Sequence, residues 1–263
     1  MSVRDGLRLA LGTFTAFGVR PPARVDRRTV RLALGLTPLV GALLGGCAGL
    51  VLEMVRQATH HSGPGVYLAA VLAVATVAVL SRGLHLDGLA DTADGLGSGR
   101  PPADALAVMR RPDIGPFGVA TVVLVLLVQT STVAESIGRG TGWLGVLVSV
   151  TAGRAATVWG CRSGVRAARQ DGLGAAFAGA VGARAAGLLT LATALACAGT
   201  SWLDDDRSWW LALRAAVAVV AAALVTAAVV RRCVARLGGV TGDVLGAGVE
   251  LGTTAALLCF ALV

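Results

Sequence analysis

Seven stretches of about 20 mostly apolar residues dominate this chain, and that is the length a helix needs to cross about 30 Å of hydrocarbon at 1.5 Å per residue. They run over 34–55, 66–83, 117–136, 142–160, 183–201, 209–230 and 245–263. The third and sixth are the cleanest. Pro38 and several glycines predict a kink in the first. The Ala- and Gly-rich fifth suits close helix packing, and Glu250 interrupts the seventh. Charged residues make up only 14% of the chain, against about 25% in a soluble domain. An ordinary cytosolic enzyme, a disordered chain and a coiled coil are thereby excluded. The expected fold is all-α: a polytopic integral membrane helical bundle of about seven transmembrane helices, forming one domain over 1–263.

The formal net charge of +8 would suit nucleic acid if read as a total. Read by position, it means something else. All 23 basic residues are Arg, and eighteen of them fall in alternate gaps between the apolar segments. By the positive-inside rule those gaps face the cytoplasm. The expectation is therefore a multi-pass protein of the cell inner (plasma) membrane, with a cytoplasmic N-terminus, an outside C-terminus and no nucleic-acid partner. Asp204, Asp205 and Asp206 fall on the outer side. Tyr67, Phe117, Trp143, Trp159, Trp202, Trp209 and Trp210 sit near segment ends, as an aromatic belt at the lipid boundary requires. Val3, Leu7, Leu11 and Phe14 recur at helical spacing, predicting a short amphipathic helix on the membrane within a cytoplasmic arm, 1–33. The five cysteines are odd in number and lack zinc or redox spacing, so they read as small core hydrophobes.

The polar residues concentrate in the cytoplasmic gaps. An Asp-rich catalytic loop, 84–116, opens with His85-Leu-Asp87-Gly-Leu-Ala-Asp91-Thr-Ala-Asp94-Gly95. Spacings of four and three put Asp87, Asp91 and Asp94 on one helical stripe, where like charges repel unless a cation bridges them. Acidic side chains beside a lipid boundary are costly without a partner. Oxygen-only ligands suit Mg²⁺, Mn²⁺ or Ca²⁺ rather than zinc, and Mg²⁺ with substrate phosphates is the usual phosphoryl-transfer arrangement. Gly95, Gly97 and Gly99 end that helix, and Pro101-Pro102 opens the next. Arg110 and Arg111, beside the turn at Gly115, could hold phosphate in bidentate fashion. Arg169 with Gly172, and Thr241 with Asp243, belong to two further Gly-rich loops on the same side. Glu250 follows one to two turns later. Arg154 within the fourth segment should face the bundle interior. His85 is either a general base or a hydrogen-bonded structural residue.

The run His85 to Gly95 resembles the signature of the cobalamin synthase (adenosylcobinamide-GDP ribazoletransferase) family. Thr37 to Gly41, Met109 to Gly118, Arg169 to Gly174 and Gly238 to Gly246 resemble further pieces of it in the same order. One departure stands out. The family commonly has Asp after the base that follows Met109; here Arg111 stands there, with Asp113 two places on. The resemblance implies a membrane enzyme of the last stage of cobalamin assembly. It would join adenosylcobinamide-GDP to α-ribazole, or its 5′-phosphate, and release GMP with Mg²⁺. On that reading Asp87, Asp91 and Asp94 hold the metal, and an Asp or His85 accepts the hydroxyl proton. Arg110, Arg111, Gly115, Arg169, Gly172, Thr241, Asp243 and Glu250 bind substrate. Oligomeric state, including a homo-oligomer, is left open. Two rivals fit less well. A CDP-alcohol phosphotransferase shares Asp91-Thr-Ala-Asp94-Gly95, but Ser98-Gly99 replaces its Ala-Arg and its later Gly-Asp-Asp is missing. A transporter would gather its ionisable groups near the midplane, whereas here they lie in the loops.

Overall fold

The computed structural model describes residues 3–203 and 208–262. Asp204, Asp205, Asp206 and Arg207 lie outside the described residues. In chain order the helices are α1 (Val3–Phe14), α2 (Arg27–Ala58), α3 (Gly63–Leu80), α4 (Leu84–Gly97), α5 (Pro102–Val108), α6 (Pro116–Gly138), α7 (Gly142–Ala156), α8 (Gly172–Phe177), α9 (Ala183–Trp202), α10 (Trp209–Leu237) and α11 (Gly242–Leu262). A 3-10 turn, Thr157–Trp159, extends α7. Six of these, α2, α3, α6, α9, α10 and α11, are long and apolar enough to cross a membrane.

The fourth apolar segment differs from expectation. Helix α7 has 15 residues, a rise of about 22 Å, and the 3-10 turn carries it further, so it crosses the bundle as a shorter span than its lipid-facing neighbours. Thirteen of its residues are buried, because it is the central post around which α2, α6, α9, α10 and α11 pack. A helix shielded from lipid by its neighbours need not match the hydrocarbon thickness.

Glycine makes that packing possible. Gly41 and Gly45 on α2 sit against the α7 backbone at Thr151 and Leu147; a Cβ on either would lie 2.7–2.9 Å from those Cα atoms. Pro38 does not break α2, which runs unbroken through it. Proline removes the hydrogen bond to the carbonyl four residues back, and the Thr37 hydroxyl donates to that carbonyl, Leu34 O, at 2.8 Å.

Arg154 faces the interior as expected and is fully buried, with Glu250 of α11 as its counter-charge. Its guanidinium donates to Thr253 Oγ1 at 3.4 Å. Helix α1 forms, but its packed face is Gly6, Leu9, Ala10 and Phe14, set against α2 and α4, while Val3 and Leu7 stay exposed. The predicted stripe was therefore partly the outward one. Exposed Tyr67, Phe117, Trp202, Trp209 and Trp210 stand at helix ends, and all five cysteines are free.

The Arg-rich gaps converge at one end of the bundle. Arg27 and Arg31 donate to Gly179 O and Ala180 O, and Arg82 donates to Gly12 O. Ala167 pairs with Val240 in an isolated bridge.

Gly41→Val and Gly45→Val should each lower thermal stability in detergent by about 1–3 kcal/mol, measured by thermal unfolding. Gly35→Ala and Gly46→Ala, on the same helix but with open space at the Cβ position, should leave it unchanged.

Candidate active site

A tight turn feeds α3 into α4, with Arg82 and Gly83 both in left-handed backbone (φ 57° and 65°). Glycine at 83 takes that conformation without strain. Along α4, Asp87 is exposed, Asp91 half-buried and Asp94 buried.

Asp94 is committed to the protein itself. Its carboxylate accepts Gly115 N–H at 2.7 Å and Gly118 N–H at 2.9 Å, one per oxygen. Those amides belong to the start of α6, where unpaired N–H groups and the helix dipole favour an anion. Any Cβ at Gly115 or Gly118 would collide with the carboxylate, which is why glycine stands at both positions. One lone pair on each oxygen remains for other work.

The other two carboxylates meet α11 instead. A Cβ at Gly88 would lie 2.8–2.9 Å from main-chain atoms of Asp243, and Gly246 packs on the His85 backbone. This approach brings Asp243 to the α4 stripe. The Thr241 hydroxyl donates to Asp243 Oδ2 at 3.0 Å and accepts Val244 N–H at 3.3 Å, capping α11. Arg169 donates to Leu106 O at 2.6 Å while its charge acts on Asp91 and Asp243. The loops carrying these residues are knitted together. Ala168 N–H donates to Val240 O and Val240 N–H to Arg166 O. Gly239 lies on the 166–168 backbone and Gly174 on that of Val240 and Thr241.

Two clefts flank the carboxylates. One, of about 330 Å³, is lined by Arg110, Arg169, Gly172, Thr241 and Asp243. The other, of about 240 Å³, is lined by Asp91, Asp94, Arg100, Arg111, Asp113 and Gly115. Arg110 bridges the first by donating to both oxygens of Asp171 at 3.1 Å. That pair is exposed and adds little stability, so an anionic ligand can compete for the guanidinium. Among the described residues, no three His, Cys, Asp or Glu side chains are drawn together closely enough to hold a metal ion. The donor set, all carboxylate oxygen, is nonetheless the kind that suits a hard divalent cation.

The chain matches the family model for cobalamin-5-phosphate synthase over residues 6–261. The chain belongs to the cobalamin-5-phosphate synthase family. Among curated relatives, it is 39% identical to the adenosylcobinamide-GDP ribazoletransferase of Frankia casuarinae over 260 residues, covering 97% of this chain and 94% of the relative. It is 41% identical to that of a Nocardioides species over 259 residues, covering 98% and 99%. Against that of Citrobacter koseri it is 36% identical over 226 residues, covering 84% of each. No solved structure matches it.

In this member of the cobalamin-5-phosphate synthase family, two predicted residues stand away from both clefts. Glu250 is buried seven residues along α11 from Asp243, about 10 Å deeper. Its Oε2 accepts Gln129 Nε2–H at 3.0 Å, and Gln129 also donates to Thr254. Glu250 thus belongs to the intramembrane polar chain with Arg154, not to the cleft. His85 is buried and stacked on Phe14, with ring centroids 5.8 Å apart, and its Nδ1 has no hydrogen-bond partner. Burial, with Arg154 adding, pushes its pKa down to about 3. A neutral, wedged imidazole of that basicity serves packing better than proton transfer. Two polar residues at these sites were not singled out from sequence. Gln129 was visible as a lone carboxamide in an apolar segment, and Arg100 was visible only as one more positive charge.

Asp91 carries the electrostatic cost of the acidic stripe. Burial first, then Asp87, Asp243 and Asp94, push its pKa up to about 7, with Arg169 opposing. The folded protein therefore holds this proton more tightly than the unfolded chain does. Stability is lost as pH rises from about 4 to about 7. In EDTA at pH 8, Asp91→Asn should unfold about 2–4 °C above the parent, and the gap should close towards pH 4. Equal melting temperatures at pH 8 would count against the crowded-carboxylate account.

Proposed function

We propose that the chain transfers the adenosylcobinamide-phosphate part of adenosylcobinamide-GDP to α-ribazole, or to its 5′-phosphate, and releases GMP. One observation carries this reading. The acidic stripe, four cleft-lining Arg and the Gly-rich turns meet at one end of a membrane bundle, and the curated relatives are named for this reaction. A nucleoside diphosphate ester needs charge compensation at both phosphates, and two Arg-lined clefts meeting at carboxylates supply it.

Asp87, Asp91 and Asp243 would hold Mg²⁺, with Asp94 contributing a spare lone pair. Bound there, the cation supplies charge neutralisation on the diphosphate. The protein's own groups do the rest. Arg110, Arg111 and Arg169 orient phosphate oxygens. Gly115 and Gly172, without side chains, let the backbone lie close to them. The ribazole hydroxyl attacks the phosphorus bonded to cobinamide, and the bond from that phosphorus to the bridging oxygen breaks. GMP departs with the bridging oxygen, and the hydroxyl proton passes to a carboxylate of the cluster. The site lies at the Arg-rich end of the bundle, which we assign to the cytoplasmic face of the inner membrane.

Purified membranes given adenosylcobinamide-GDP, α-ribazole and Mg²⁺ should yield GMP and a cobalamin product; absence of both overturns the reading. Asp87→Asn, Asp91→Asn and Asp243→Asn should each lower turnover by at least about 100-fold, while His85→Gln should retain more activity than any of them. A cysteine placed after Val263 should label from outside the cell only.

A further inference from the structure

The cleft between α4 and the 109–117 turn holds three side chains that the transfer chemistry leaves unused, Arg100, Asp113 and Phe117. Asp113 is exposed at its wall and, among the described residues, makes no ion pair or hydrogen bond, although Arg111 and Arg100 line the same cleft. Phe117 is 53% exposed there, its ring held against Gly97, where a Cβ would collide with it. The inner end of the cleft is Asp91 and Asp94. A carboxylate, an aromatic ring and two guanidiniums therefore share one cleft that ends at the acidic stripe.

We propose that this cleft takes the guanine nucleotide half of the donor, with Asp113 as the residue that selects guanine. The inference rests on the functional reading above. A carboxylate only accepts hydrogen bonds. Guanine offers N1–H and N2–H side by side on one edge, which two carboxylate oxygens match. Adenine turns a lone pair towards the same place and is repelled, so the site discriminates by mismatch as well as by fit. Phe117 supplies a stacking surface, which is indifferent to base identity. Arg100 and Arg111 meet the phosphate of the departing GMP. Among the described residues, the other cleft has no aromatic side chain in its lining to stack a base, and its Asp171 and Asp243 are paired with Arg110 and the Thr241 hydroxyl. That cleft is left for the ribazole acceptor.

Equilibrium dialysis of radiolabelled GMP with the purified full-length protein and Mg²⁺, with unlabelled IMP and AMP as competitors, tests this directly. The parent protein should bind GMP best, IMP (which lacks the 2-amino group) less well and AMP at least about tenfold more weakly. Asp113→Asn and Asp113→Ala should weaken GMP binding about tenfold and tighten AMP binding, so that the preference for GMP is lost. Phe117→Leu should weaken both nucleotides alike. Asp104→Asn, exposed on α5, should change neither. Equal affinity of the parent for GMP and AMP, or normal GMP binding by both Asp113 variants, would overturn the assignment. Turnover is read separately. A parent protein that forms cobalamin while the Asp113 variants bind GMP normally loses only this inference. A parent protein that shows the dialysis pattern but forms no product loses the functional reading and keeps the guanine site.

Discussion

The carboxylate of Asp94 is the point on which the site depends. It is a buried negative charge, and such a group is costly unless hydrogen-bonded. The start of α6 meets that need with two backbone N–H groups. One interaction thus does three things: it caps a membrane-crossing helix, closes the 98–115 segment back onto α4, and fixes the rotation of α4 about its axis. With that rotation set, Asp91 turns towards α11 and the clefts.

Around this fixed point the protein tolerates repulsion. Asp87, Asp91 and Asp243 face one another with Arg169 as partial compensation. A fold selected for stability alone would not crowd carboxylates so that one holds its proton near pH 7. Perturbed carboxylates of this kind cluster at functional sites. The glycines at 88 and 246 permit the crowding, because only a missing Cβ lets α4 approach α11 closely enough.

A second polar system lies deeper and does different work. Arg154, Glu250, Gln129, Thr253 and Thr254 link α6, α7 and α11 inside the bundle. Charges in such a place face protein rather than lipid. The Glu250 carboxylate is anchored by a carboxamide from another helix, which ties α11, the carrier of Asp243, to the core. Its apparent kinship with the cleft residues came from sequence proximity to Asp243. Along a helix, though, seven residues are about 10 Å of depth, and depth is what separates a cytoplasmic loop from a membrane interior.

Much was legible in the order of residues. Apolar length and the alternation of Arg marked the spans and their grouping at one end, because lipid solvation acts on each segment locally. The spacing of Asp87, Asp91 and Asp94 marked a shared helical face, because period 3.6 is also local. Tertiary packing decided the rest. Which carboxylate is spent as a cap, which is joined by Asp243, why α7 can be shorter than a lipid-facing span, and why His85 is a neutral wedge all depend on contacts between segments far apart in the chain. Burial and opposing charge are properties of what a side chain meets, and no local pattern states what a helix 150 residues away will place beside it.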